Sequence, residues 1–249
     1  DEDFCFEEFA DRVAELVEKY VDIDRLLELT KQVASAAFPM SVSHRTYRRE
    51  PSFTVAIARD PAFNFMYEAN IRYLHHLGEV TYFSPLADTS LPDAGFVYLP
   101  GGYPELYLAA LSANRPMLQS IRRYVENGGK LLAECGGMMY LCDEIRDKNG
   151  DVFPMVGVLH QSATMENMKL RLGYRTLLYN DARLKGHEFH YSRLVEQQDP
   201  LPSCAVAYTA KGVETDTPLY HYKNVWAGYT HLYWADPAGN DWFTKFIIK

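Results

Sequence analysis

Cys135 ends an apolar run in "KLLAECGGMMYL", residues 130–141, with Gly136 and Gly137 directly behind it. A strand that stops at a cysteine and turns at once into a helix lifts the side chain at the turn out of the sheet. Its cramped backbone favours small neighbours, and this is the geometry of a nucleophile elbow. The start of the following helix places partial positive charge near the sulfur, which predicts a lowered thiol pKa and a reactive thiolate. The amide N–H of Gly136 is placed to receive a developing oxyanion. The competing reading is a packed cysteine at an ordinary turn. A second glycine pair, Gly101-Gly102 in "FVYLPGGYPEL" (96–106), also ends an apolar run, and it can bring backbone N–H groups close to a ligand. If the two runs are parallel neighbours, both glycine pairs lie on one sheet edge and share a crevice.

A thiol nucleophile needs a base, and the chain has eight histidines. His75 and His76 fall mid-helix, His44 lies in a basic segment, and His160 and His221 have no distinguishing context. Two remain. "GHEFHYS" (186–192) reads as a strand, so His187 points away from the face shared by Glu188 and His190. "VWAGYTHLYW" (225–234) puts His231 at the end of an aromatic run. Residue chemistry alone leaves His190 and His231 both open as the base. No Cys pair or His spacing signals a metal site.

The elements that must position these groups alternate. Strands are expected at 52–58, 79–84, 94–102 and 130–134, with helices at 63–78 and 115–129 between them. That alternation predicts an α/β fold, a mostly parallel sheet with helices on both faces. Beyond about residue 155 the chain becomes β-rich with turn residues between runs, which predicts antiparallel strands added to that sheet, and "NDWFTKFIIK" predicts a closing helix. Residues 4–38 have helical period, with Asp22 or Asp24 as N-cap of a second helix from Arg25 to about Ala37. The basic "SHRTYRREP" (43–51) reads as a linker, so the domains are expected at 1–51 and 52–249.

Composition narrows the class. A net charge of −8 over 249 residues argues against general nucleic-acid binding. No run approaches a membrane span, and the acidic N-terminus is unlike a signal peptide. Four unpaired-looking cysteines then suit a reducing, cytoplasmic compartment. The chain begins at Asp1 rather than Met, and an excised domain or the product of a split gene is expected.

"PGGYPE" (100–105), "ECGGMMYL" (134–141), "LGYR" (172–175), "GHEFHYS" and "YTHLYW" (229–234) stand in this order. Together they resemble the glutaminase half of the cobyrinate a,c-diamide synthases, a class I glutamine amidotransferase-like domain with a flavodoxin-like core, over roughly residues 53–249. The resemblance implies that Cys135 is the nucleophile and His231 the base. It implies an oxyanion hole from Gly136, Gly102 and Gly101. Tyr103 and Glu105 would meet the α-amino group of glutamine, unless they are simply a turn tyrosine and a helix-start glutamate. His187 and His190 would face the acceptor side, with Arg171, Arg175 and Arg193 as a candidate basic patch. Many class I amidotransferases carry an acid two residues after the base; here that position is Tyr233. The segment 4–38 resembles the tail that follows the family's ATP-binding synthetase domain. The P-loop pattern of that domain is absent from this sequence, so ATP and Mg belong to the synthetase domain and this chain carries no cofactor of its own. Expected partners are glutamine, that N-terminal domain and, through it, a corrinoid acceptor; a homodimer is compatible with this. Hydrogenobyrinate or a nickel sirohydrochlorin is an alternative acceptor. A non-catalytic relative that kept the fold is the alternative in kind.

Overall fold

The structure, a computed structural model, describes residues 6–32, 53–196, 200–235 and 237–248. The chain divides into two compact units, Asp1–Thr46 and Tyr47–Lys249. The boundary expected at residue 51, the linker before it with His44, and the end of the second helix beyond residue 32 lie outside the described residues. In the first unit α1 (Phe6–Tyr20) carries the expected apolar stripe, with Phe6, Phe9, Val13, Leu16, Val17 and Tyr20 exposed. Asp22, of the two candidates, caps α2 (Ile23–Gln32): its Oδ1 accepts from the Arg25 N–H at 2.9 Å.

The second unit starts with β1 (Thr54–Ala58), α3 (Glu68–Leu77), β2 (Glu79–Phe83), β3 (Phe96–Leu99), α4 (Leu108–Ala113), α5 (Arg115–Glu126), β4 (Lys130–Glu134) and α6 (Gly136–Leu141). It continues with β5 (Glu144–Arg146), β6 (Val152–Pro154), β7 (Ser162–Thr164), β8 (Arg171–Tyr179), β9 (Ala182–His190), β10 (Arg193–Leu194), β11 (Val206–Thr209) and β12 (Glu214–Thr215). It closes with β13 (Leu219–Tyr222), β14 (Val225–Gly228), β15 (His231–Leu232) and α7 (Pro237–Ile248).

The central sheet has the order β13-β14-β4-β3-β1-β2, parallel throughout except for β13 at one edge. Period-2 alternation splits its buried side chains between two cores. Val55, Ile57, Phe96, Tyr98, Leu132 and Trp226 pack on one face with Leu74 of α3 and Phe243 of α7. Ala56, Val97, Leu99, Leu131, Ala133 and Ala227 pack on the other with Ile121 of α5 and Met138 of α6. Both faces are covered, which is why these strands read as continuous apolar runs rather than alternating ones.

Two expectations change. The helix expected from residue 63 starts at Glu68, because Asp60 Oδ1 accepts from the N–H groups of Ala62 and Phe63 and turns the chain. Phe65 then bridges to Gly101 through its N–H at 3.0 Å. The β-rich second half does not simply extend the parallel sheet. All four residues of β14 are buried and it runs parallel beside β4; of the later strands only β13 adds antiparallel. The others build two further sheets, β12-β11-β8-β9-β15 and β10-β7-β5-β6.

Candidate active site

Cys135 leaves β4 with φ 49° and ψ −107°, outside the regions L-residues favour. Such a backbone costs on the order of 1–3 kcal/mol and persists only where its surroundings hold it. Here the Cys135 N–H donates to the Gly228 carbonyl at 2.7 Å, and its carbonyl accepts from Met139 N–H at 3.0 Å. The residue is pinned to β14 on one side and to the first turn of α6 on the other.

The other glycine pair lies on the same edge, since β3 and β4 are parallel neighbours. A Cβ on Gly136 would sit 2.7 Å from Pro104 Cδ and 3.2 Å from the Gly102 nitrogen, so the two loops touch backbone to backbone. A Cβ on Gly101 would lie 2.1 Å from Cε1 of His231. Only glycine lets that imidazole approach the loop. The structure therefore brings Gly136 against Gly102 and His231 against Gly101, while the space at the Cys135 sulfur is lined by Gly102 and His190 rather than by His231. Of the two histidines left open by residue chemistry, His231 packs on Gly101 and His190 lines the space at the sulfur.

His231 is buried, on a two-residue strand held from both sides. On one side β15 pairs antiparallel with β9, His231 opposite His187. On the other, side chains replace a strand. Glu134 Oε1 accepts from the Leu232 N–H at 3.1 Å. Asn70 Nδ2 donates to the Leu232 carbonyl at 2.8 Å, and its Oδ1 accepts from Trp234 N–H at 2.9 Å. Thus the residue before the cysteine grips the residue after the histidine. Tyr98 Oη also donates to Glu134 at 2.7 Å. Burial pushes the Glu134 carboxyl up to about 8, against these hydrogen bonds, which lower it.

The electrostatics differ from the sequence expectation at one point. The thiol of Cys135 is not lowered: burial pushes it up to about 12, aided by the nearby Glu105 carboxylate, while the Gly136 N–H pulls it down. The desolvation of a closed pocket outweighs one short helix turn. His231 is pushed down to about 3, by burial first and then by His187 and His190.

The space at the sulfur is lined by Gly102, Glu105, Met139, His190 and Ser192, among others, and encloses only about 20 Å³, room for a single water. Glu105 faces it, its carboxyl raised by burial; Tyr103 also borders it and is 46% exposed. His190 stacks on Tyr229 at 3.8 Å between centroids, with Nδ1 2.9 Å from the Ser192 carbonyl. A larger cavity of about 630 Å³, between Tyr179, Arg183, Trp226 and Trp242, is remote from these groups. The expected basic patch is largely neutralised: Arg171 is paired with Asp216 and Arg175 with the buried Glu188. Among the described residues no cluster of His, Cys, Asp or Glu is placed to hold a metal ion, and no helix is long and apolar enough to cross a membrane.

Residue reasoning missed Phe65, Tyr67 and Asn70. Asn70 had a signal: it falls at helical spacing between Met66 and Leu74, a polar residue on an apolar stripe.

Residues 54–239 match the CobB/CobQ-like glutamine amidotransferase domain. The chain belongs to this family. Among its curated relatives, the cobyrinate a,c-diamide synthase of Clostridium acetobutylicum is 34% identical over 96% of this chain and 54% of its own length. The hydrogenobyrinate a,c-diamide synthase of Stutzerimonas stutzeri is 36% identical over 88% of this chain and 52% of its own. This amidotransferase chain thus spans about half the length of the curated relatives it matches. In structure, PurLQS from Thermotoga maritima matches 79% of this chain and 95% of its own with a TM-score of 0.51 at 16% identity. A glutamine amidotransferase of known structure matches 78% of this chain and 99% of its own, again with a TM-score of 0.51 at 16% identity. These two likenesses establish the class I glutamine amidotransferase fold.

Proposed function

We propose that the chain is the glutaminase part of an ATP-dependent amidoligase of the cobyrinate a,c-diamide synthase type. The observation that carries this is the elbow: a strained Cys135 between two glycine loops, with His231 packed on one of them. Family membership and the names of its relatives give the reaction class.

In the proposed mechanism, Cys135 Sγ attacks the side-chain carbonyl carbon of glutamine, and its proton passes to His231. The oxyanion is received by backbone N–H groups of Gly136 and the Gly101-Gly102 loop; the Gly102 N–H has no backbone acceptor among the described residues. The carbon–nitrogen bond breaks as His231 returns the proton to the departing ammonia. Water, deprotonated by His231, then hydrolyses the thioester to glutamate and restores the thiol. The ammonia would be used on the a and c carboxylates of cobyrinate, activated by ATP and Mg in a synthetase domain outside this chain. Hydrogenobyrinate is the second acceptor to consider, because relatives of equal similarity carry that name.

In the intact synthase, Cys135→Ser is expected to abolish glutamine-dependent amidation and leave ammonia-dependent amidation in place. Normal use of glutamine by that variant would refute the assignment.

A further inference from the structure

His231 has no acid two residues on to orient it. Tyr233 is 38% exposed and edge-on to Tyr67 at 5.4 Å, and His231 Nδ1 is buried with no hydrogen-bond partner among the described residues. Its ring must be placed by packing. On β9, directly opposite in register, His187 lies stacked on it, centroids 4.9 Å apart and planes 20° from parallel. The His187 ring is itself tied down, since Tyr67 Oη is 2.6 Å from its Nδ1. Phe65 stands edge-on to both imidazoles, at 4.6 Å from His231 and 5.4 Å from His187. With the Gly101 backbone against Cε1, these groups leave His231 one orientation.

We propose that His187, anchored by Tyr67, is a positioning residue for His231, its stacked imidazole holding the base toward the glycine loops and keeping it able to accept a proton. This rests on the glutaminase reading above and assigns the orienting role that an acid fills in other amidotransferases. Its electrical side follows from the surroundings. A second imidazole beside His231 opposes a positive charge there, as burial and His190 also do. Other ionisable groups around the pair are Tyr174, opposite His187 on β8, Tyr67, Tyr233, Glu188 on β9, and Glu134, which accepts from the Leu232 N–H beside His231. Glu188 is held by Arg175 at 2.8 Å, so it offers His187 a partly neutralised carboxylate. His187 is itself pushed toward the neutral form by burial.

The test is glutamine hydrolysis by the chain as a function of pH, beside NMR titration of ¹³C-labelled imidazoles. His187→Ala is expected to lower kcat/KM by about 10- to 100-fold, the scale of a misplaced catalytic group. The loss should fall mainly on kcat, and the acidic limb of the profile should move to higher pH. The His231 titration midpoint should rise with it. His187→Phe, which keeps a stacked ring, is expected to recover most of the rate at pH 8, and Tyr67→Phe to fall between. An unchanged profile and His231 midpoint in His187→Ala, or equal losses in the Ala and Phe variants, would overturn the proposal. Should hydrolysis be too slow to follow, the NMR midpoint decides alone. Hydrolysis that survives in Cys135→Ser would instead refute the glutaminase reading, whatever His187 does.

Discussion

Burial acts on both members of the candidate pair and in opposite senses, taking the Cys135 thiol up to about 12 and the His231 imidazole down to about 3. Between those values the resting pair is a neutral thiol and a neutral imidazole. On the proposed mechanism, an ion pair of thiolate and imidazolium would form as glutamine enters and changes the surroundings. The sign of the pH effect follows directly. The thiolate fraction rises about tenfold per pH unit below the thiol pKa, so alkylation of Cys135 by iodoacetamide should climb steadily from pH 7 to pH 10. Site-resolved mass spectrometry measures this, and a plateau near neutrality would mean that the ion pair already exists in the free chain. The cysteine itself was plain in the sequence. Its protonation state was not, because the closing residues Glu105, His190 and Ser192 come from distant parts of the chain.

At the level of elements, β1 to β4, α5 and the elbow were legible because each is local: short β-rich runs, glycine pairs just beyond β3 and β4, and Asn114 accepting from Met117 N–H at 3.4 Å to start α5. The shared edge of the two glycine loops followed from parallel order alone. The strand carrying His231 was not legible in this way. It has two residues, and its partners, β9, Glu134 and Asn70, are separated from it by tens to more than a hundred positions. Glu134 gives that clamp a pH dependence. Its folded pKa of about 8 lies above its ordinary value of 4.5, so the folded state holds a proton that the unfolded state releases. The contribution is full below pH 4.5 and is lost as pH rises through about 8. Glu134→Gln can still accept from Leu232 N–H but has no proton to lose. Urea unfolding at pH 5 and pH 8.5 should show a loss for the native protein, on the order of a few kcal/mol, that the variant lacks. Equal losses in both would remove Glu134 from the account.

For the whole molecule, the buried residues of the two core clusters, among the described residues, all belong to the second unit, with Phe53 packed against one of them. A chain starting at residue 47 is therefore expected to unfold cooperatively, with a melting temperature within a few degrees of the full chain; a molten product would show that the first unit contributes to folding. The apolar stripe of α1 was legible from its period, but what an amphipathic helix faces is decided outside its own sequence.

The narrow space at Sγ also bears on oxidation. A space with room for about one water slows the approach of oxidants to Sγ, and a protonated thiol is a slow partner for them. On the proposed mechanism, Cys135 would be slow to form sulfenic acid in the free chain, and any opening that admitted glutamine would also be the interval in which it could be damaged. Abundant glutamine, by occupying that opening, would act as the antioxidant of its own site.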